Sequence, residues 1–356
     1  MRTTRSTLWR SLVALELALL VALGAAVWVS QGTRAAAERV RAHSVPSIQH
    51  ILAAHAALVE ADEAAVDSFR TGAVALAGPG ERYQNQIALA GQNLTRLAVD
   101  SIAGAGVGQG IQLVQGQLAA YSGLIEQADA HYRRDPGSAL ARADLWSASR
   151  LLHMPAGGIL AQLDELLAVE RQALVGQLTA GRMDPGWVMV WIVPMAVLLA
   201  LLVGTQVFLS RRFRRTFNLP LLGATAAVLV LAAGMSFDFA ARGELTATRD
   251  AGDALVDDWQ ARTAAADRRG QQMLGDLIAT ACPDGCGETI GRLVATPGAN
   301  REPPDEQALT ARIKAVDGYA ATAADTAGRP TALMLAVLAA MALVPLGLHP
   351  RIDEYR

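Results

Sequence analysis

The sequence predicts an all-α membrane protein with four transmembrane helices, an extracytoplasmic four-helix bundle and an additional helical hairpin. Three observations predict it. Four long runs are almost free of charge, the segments between them repeat apolar residues at helical spacing, and arginines cluster beside the runs. With 52% hydrophobic and only 18% charged residues, the chain is too apolar for an ordinary soluble protein.

Residues 1–11 form a predicted cytoplasmic N-terminus carrying Arg2, Arg5 and Arg10, and 12–29 the first transmembrane helix. A cleaved signal peptide is the rival reading, but an apolar region of about 18 residues exceeds the usual signal core. Glu16 is the one acid inside this span; snorkelling or an ion pair with a neighbouring helix accounts for it more simply than an intramembrane function.

Residues 30–186 read as the extracytoplasmic bundle. Ser44 is placed to cap a helix that has Pro46 in its first turn. Ile48, Leu52, His55, Val59, Asp62, Val66 and Phe69 then form a stripe at alternating spacings of four and three, up to the break at Gly72 and Gly78-Pro-Gly80. A second helix spans about 81–102. The glycine-rich stretch 104–110 reads as a flexible loop, because it does not match G-x-G-x-x-G and no strand precedes it. A third helix covers about 111–133, and a fourth starts near Ser138, with Pro155, Gly157 and Gly158 expected to kink or split it.

Residues 187–209 are uncharged and long enough to span a bilayer as the second transmembrane helix. The turn 210–218 contains Arg211, Arg212, Arg214 and Arg215, the strongest orientation signal in the chain. The third transmembrane helix is 219–237. Residues 238–330 are the extracytoplasmic hairpin, with Leu245, Leu255, Trp259, Met273, Leu277 and Ile278 as inward candidates. The fourth transmembrane helix is 331–348, and 349–356 is a cytoplasmic C-terminus with Arg351 and Arg356. The predicted inner segments therefore hold nine arginines against Asp353 and Glu354, whereas the two outer segments hold 30 acids against 22 bases. This charge pattern puts the protein in the plasma membrane with both termini cytoplasmic, and offers no basic patch for nucleic acid.

Cys282 and Cys286 are the only cysteines and fall on the oxidising side, so a disulfide across their Pro-Asp-Gly turn is expected. So short a loop contributes about 2 kcal/mol. Two cysteines are too few for a zinc site, and the six histidines are scattered, so no metal and no cofactor are expected. His55 and Asp62, two turns apart on the stripe, are the candidate bundle-interior polar residues; a stripe-edge position or a bond to a neighbouring helix is weighed against a solute pocket.

No P-loop, nucleophile elbow, H-E-x-x-H or kinase signature is present, and the inner segments of about ten, nine and eight residues leave no room for an output domain. The expectation is a non-enzymatic sensor-transducer that hands its signal to a partner, with possible homodimerisation. The four arginines of the inner turn are candidate docking donors for an acidic effector, although topology and anionic lipid alone also call for them. A transport or channel accessory component and a structural envelope protein are the alternatives.

The stretches Phe69-Arg-Thr-Gly72, Gly80-Glu-Arg-Tyr-Gln-Asn-Gln-Ile-Ala-Leu-Ala-Gly91, Tyr121-Ser-Gly-Leu-Ile-Glu-Gln-Ala-Asp-Ala-His-Tyr132 and Ala143-Asp-Leu-Trp-Ser-Ala-Ser-Arg-Leu-Leu-His153 resemble the GlnX-type membrane proteins of actinobacteria, as does the order of spans and loops. That resemblance implies an extracytoplasmic solute-binding lipoprotein of glutamate/glutamine type and a cytoplasmic Ser/Thr kinase, protein kinase G, as partners in relaying amino-acid availability. It transfers no individual functional residues.

Overall fold

A computed structural model describes residues 2–101, 104–180, 185–213, 219–280, 306–326 and 330–353, and every regular element among them is helical. These are α1 (Arg2–Arg39), a π-helical turn (Val40–Ser44), α2 (Val45–Thr71), α3 (Val74–Ala77), α4 (Glu81–Asp100), α5 (Ala105–Arg134), α6 (Ala139–His153), α7 (Ile159–Ala180), α8 (Pro185–Phe213), α9 (Leu219–Ala279), α10 (Glu306–Thr326) and α11 (Pro330–Asp353). They sort into two compact units, one of residues 1–39, 177–247 and 318–356, the other of 40–176 and 248–317.

The first unit has an apolar core that four helices share. Leu15, Leu19, Ala22 and Ala26 of α1 are buried with Met195, Leu198 and Leu202 of α8, Ala224, Val228 and Leu231 of α9, and Val337, Ala340 and Val344 of α11. The opposite faces of the same helices are also apolar: Leu17, Leu20, Val193, Val203, Leu229, Val230, Leu335 and Leu338 are exposed. Helices apolar all round suit a lipid environment rather than water. The stretch Trp9–Thr71 is a helix long and apolar enough to cross a membrane, while Ile192–Val207, Leu222–Gly234 and Met334–Leu346 are shorter apolar helical stretches. Glu16 is half-buried in this unit, and its Oε1 has no hydrogen-bond partner among the described residues.

The second unit is built around α2, whose buried residues spread well beyond the expected stripe and leave one partly exposed face along Gln49, Ala53, Ala56, Glu60, Glu63 and Asp67. Ala54, Ala57, Ala61, Ala64 and Ala65 are all buried beside Ile51, Leu58, Val59 and Val66, so the small side chains admit neighbouring helices on faces that the apolar periodicity did not mark. Gly72 terminates α2 with φ +76°, the left-handed conformation a helix C-cap favours. Phe69 meets Tyr132 of α5 edge to face, 5.6 Å between ring centres.

Three expectations need correction. Ser44 does not cap a new helix: it has helical dihedrals and makes no side-chain capping bond, and the chain passes from α1 to α2 through the π-helical turn. Pro46 explains this, since it has no N–H for the carbonyl four residues back and its ring crowds that carbonyl; a wider turn relieves both problems without ending the helix. The glycine-rich stretch is not a loop beyond Gly104 (φ +99°), because α5 begins at Ala105. Within it, a Cβ on Gly110 would lie 2.8 Å from Leu166 Cδ2 of α7, so the glycine serves close packing of two helices. In α9, Leu245, Leu255 and Ile278 are buried as expected, but Trp259, Met273 and Leu277 are only half-buried, and Leu274 takes an inward place instead.

The split of the fourth bundle helix falls where proline and glycine place it, between His153 and Ile159. At Gly158 a Cβ would stand 2.3 Å from the Met154 carbonyl oxygen, so no other residue fits that turn. Cys282 and Cys286, like Arg214 and Arg215, lie outside the described residues. Arg211 and Arg212 fall in the last turn of α8.

Candidate functional site: a buried ionisable cluster

Asp62 is the centre of the most unusual chemistry in the second unit. Only 2% of it is exposed, yet it sits on α2 amid alanine and valine. The Tyr121 hydroxyl of α5 donates to Oδ1 at 3.0 Å, and the Ser149 hydroxyl of α6 donates to Oδ2 at 2.9 Å. A buried carboxylate must be met by donors or a cation, and here both oxygens are met from different helices.

The cation is His153, one turn beyond Ser149 on α6. Its Nδ1 lies 2.8 Å from the Ser149 carbonyl oxygen and 3.9 Å from Asp62 Oδ2, and its Nε2 lies 2.7 Å from Asp267 Oδ1 of α9. Burial alone would lower its pKa. The bond to Asp267 and the charges of Asp62 and Asp267 outweigh that, and raise it to about 9. At neutral pH His153 is therefore an imidazolium between two aspartates. Gln271, one turn after Asp267 on α9, brings its side-chain amide to 3.1 Å from Ser149 Oγ and 3.0 Å from His153 Nδ1 and closes the network.

Burial raises the pKa of Asp62, against the His153 charge and the Ser149 and Tyr121 donors that lower it. Tyr121 is raised far above its ordinary range, first by burial and then by the Asp62 charge, so it remains a donor at any physiological pH. His55, two turns before Asp62, moves the opposite way from His153: burial lowers it, Asp164 and Asp267 raise it, and the His153 charge lowers it again. Its Nε2 is 3.9 Å from Asp164 Oδ1 of α7. The two histidines are thus shifted in opposite directions within one cluster, which α2, α5, α6, α7 and α9 share.

The arrangement brings Asp62 and His55 together with four residues that the sequence did not single out: Ser149, His153, Asp267 and Gln271. The available signal was spacing, since 149/153 and 267/271 are polar pairs at i and i+4 and so share a helix face. Glu170 of α7 was also missed. It is wholly buried, its Oε1 accepts from the Ser101 hydroxyl, and burial raises its pKa. No cluster of three or more His, Cys, Asp or Glu fit to hold a metal ion occurs among the described residues.

Fold and cluster together define an all-α protein with one apolar four-helix unit and one helical unit whose interior carries a titratable, multi-helix hydrogen-bond network. Residues 36–179 match the family described as an actinobacterial sensor domain, which supports an actinobacterial sensor protein. Asp62, Tyr121, Ser149 and His153 fall within the matched segment, whereas Asp267 and Gln271 come from a later part of the chain. No curated protein and no solved structure matches the chain.

Proposed function

We propose that this protein is a four-span transmembrane sensor-transducer whose second unit lies outside the membrane and reports a solute signal inward. The match of residues 36–179 to a sensor domain carries this reading. The apolar outer faces of α1, α8, α9 and α11 support the spans, and the nine inner arginines support the orientation. In this scheme the Asp62–His153–Asp267 cluster is the two-state element. Its hydrogen bonds tolerate only fractions of an ångström, so a small displacement of α9 against α6 trades one set of partners for another. The helix α9 contributes Leu231 to one core and Asp267 to the cluster in the other, which makes it the carrier of the signal.

Following the resemblance, the solute is an amino acid delivered by a binding lipoprotein, and the receiver is a soluble Ser/Thr kinase docking at Arg211, Arg212, Arg214 and Arg215. The chain itself acts without catalysis. The test compares kinase-dependent phosphorylation in cells given or denied glutamate, for the native chain, Asp62→Asn, and a variant with all four arginines changed to lysine. Loss of the response in Asp62→Asn with normal membrane insertion is the expected result. An unaltered response in both variants refutes the switch and the docking site together.

One observation favours a second reading. Glu16 Oε1 lies buried with no hydrogen-bond partner among the described residues, as an acid in a permeation path would. Solute flux into liposomes containing this protein alone marks it as a transport component; sealed liposomes leave the sensor.

A further inference from the structure

A second feature of the outer unit lies apart from the ionisable cluster. A cleft of about 240 Å³ opens between α7 and α9, floored by Ile48 of α2. Its walls divide by chemistry. Leu174, Val175 and Val256 are apolar, while Arg171, Gln172, Arg249 and Asp253 are polar. At roughly 30 Å³ per water-sized group, the space admits a molecule of about eight heavy atoms.

The charges in the cleft are unevenly satisfied. Arg171 Nη2 is 2.5 Å from Asp253 Oδ1, a committed pair across the two helices. Arg249, one turn before Asp253 on α9, has its Nε 3.9 Å from Asp253 Oδ2, beyond hydrogen-bond range, and no hydrogen-bond partner among the described residues. The cleft thus carries one net positive charge, presented by a guanidinium with its planar donor fork unused, beside an apolar wall. We propose that this cleft binds a small organic monocarboxylate with a short branched apolar tail. Its carboxylate takes the Arg249 fork, Gln172 donates alongside, and its tail lies against Ile48, Leu174 and Val256. A free ammonium group on the ligand is disfavoured, because the only acid in the cleft is already bound to Arg171. A divalent anion is disfavoured because two arginines against Asp253 leave the cleft a net charge of only one. This assignment goes beyond the proposed function, which names no residue in contact with a solute, and its test reads binding alone, so the outcome is independent of any relay.

The experiment titrates the full chain in lipid nanodiscs with 4-methylpentanoate, its uncharged isostere 4-methylpentanamide, and leucine, which adds only the ammonium group. Binding is followed by ligand-observed NMR. The carboxylate saturates with a Kd on the order of 1 mM or tighter, at least tenfold below that of the amide and of leucine. Arg249→Gln weakens the carboxylate at least tenfold. Arg249 is half-exposed and makes only the 3.9 Å approach to Asp253 within its own helix, so the substitution leaves the fold intact. Gly252→Leu serves as the second variant: a Cβ there meets nothing within 4 Å, so the added side chain grows into the cleft and abolishes binding while improving helix propensity. Absence of saturable carboxylate binding, equal or tighter binding of the amide or of leucine, or unchanged affinity in either variant overturns the proposal.

Discussion

His153→Gln is the substitution that reports most directly on the ionisable cluster. In the fold, His153 titrates at about 9 against an ordinary 6.5, because Asp267 at 2.7 Å and Asp62 at 3.9 Å hold its proton. The sign follows from which state binds that proton. Between pH 6.5 and about 9 the folded chain keeps it and the unfolded chain loses it, so the stabilisation is fully present below pH 6.5 and disappears as pH rises through 9. A shift of this size corresponds to about 3 kcal/mol. For a unit of roughly 200 residues, 1 kcal/mol moves the Tm by about 2–4 °C, so the native chain loses about 6–12 °C between pH 6.5 and pH 10 through this one group. His153→Gln removes that loss. It also leaves Asp62 and Asp267 without their shared cation, so the variant is less stable than the native chain at pH 6.5, and the two profiles converge toward pH 10. The assay is thermal unfolding of the full chain in detergent, by circular dichroism, at half-unit steps of pH. Subtracting the two profiles removes the contribution of every other group that titrates in this range. Parallel profiles refute the argument, because they mean that His153 is neutral in the fold and that its contacts with the two aspartates are not ion pairs.

Asp62→Asn keeps the shape but turns one of the two acceptor oxygens into an NH2 donor that faces a hydroxyl donor and removes the charge beside His153, and costs about 1–3 kcal/mol at neutral pH, read as a lowered Tm. Tyr121→Phe costs about 1–2 kcal/mol alone and distinctly less in the Asp62→Asn background, since the two share one hydrogen bond; strict additivity in the double-mutant cycle contradicts the network. Gly158→Ala is destabilising by more than 1 kcal/mol, because its Cβ collides with the Met154 carbonyl oxygen rather than with a flexible side chain. A reporter fused after Arg356 is active in the cytoplasm and one inserted at Gly106 is active outside; an outside signal from the C-terminal fusion rules out the four-span arrangement. Alkylation of unreduced membranes labels neither Cys282 nor Cys286, and labelling of both in intact cells contradicts the disulfide expected from the sequence.

Helix content, most helix ends and the apolar runs were legible in the sequence because each is a local property. Gly72 and Gly78 end α2 and α3 by backbone preference, Pro155 and Gly158 divide α6 from α7, and runs such as 219–237 are recognised by composition alone. Pro46 shows where local signals stop being decisive: proline and serine together suggest a new helix, but packing around α2 favours a continuous one, with a π-helical turn absorbing the missing hydrogen bond. The central place of α2 was hidden for a similar reason. Its alanines carry no hydrophobic periodicity, and their value lies in the helices they allow to approach.

The cluster itself belongs to tertiary structure. The sequence marked His55 and Asp62 as polar residues on an apolar stripe, and no local rule could choose their partners, because Asp62 meets Ser149 across 87 positions of chain and His153 meets Asp267 across a still longer interval. The charge on His153 is likewise a property of the assembled interior: in isolation the side chain titrates near 6.5, and only desolvation together with two converging carboxylates moves it to about 9. What each residue is able to do is written in its chemistry; which protonation state it holds is decided by the helices that surround it.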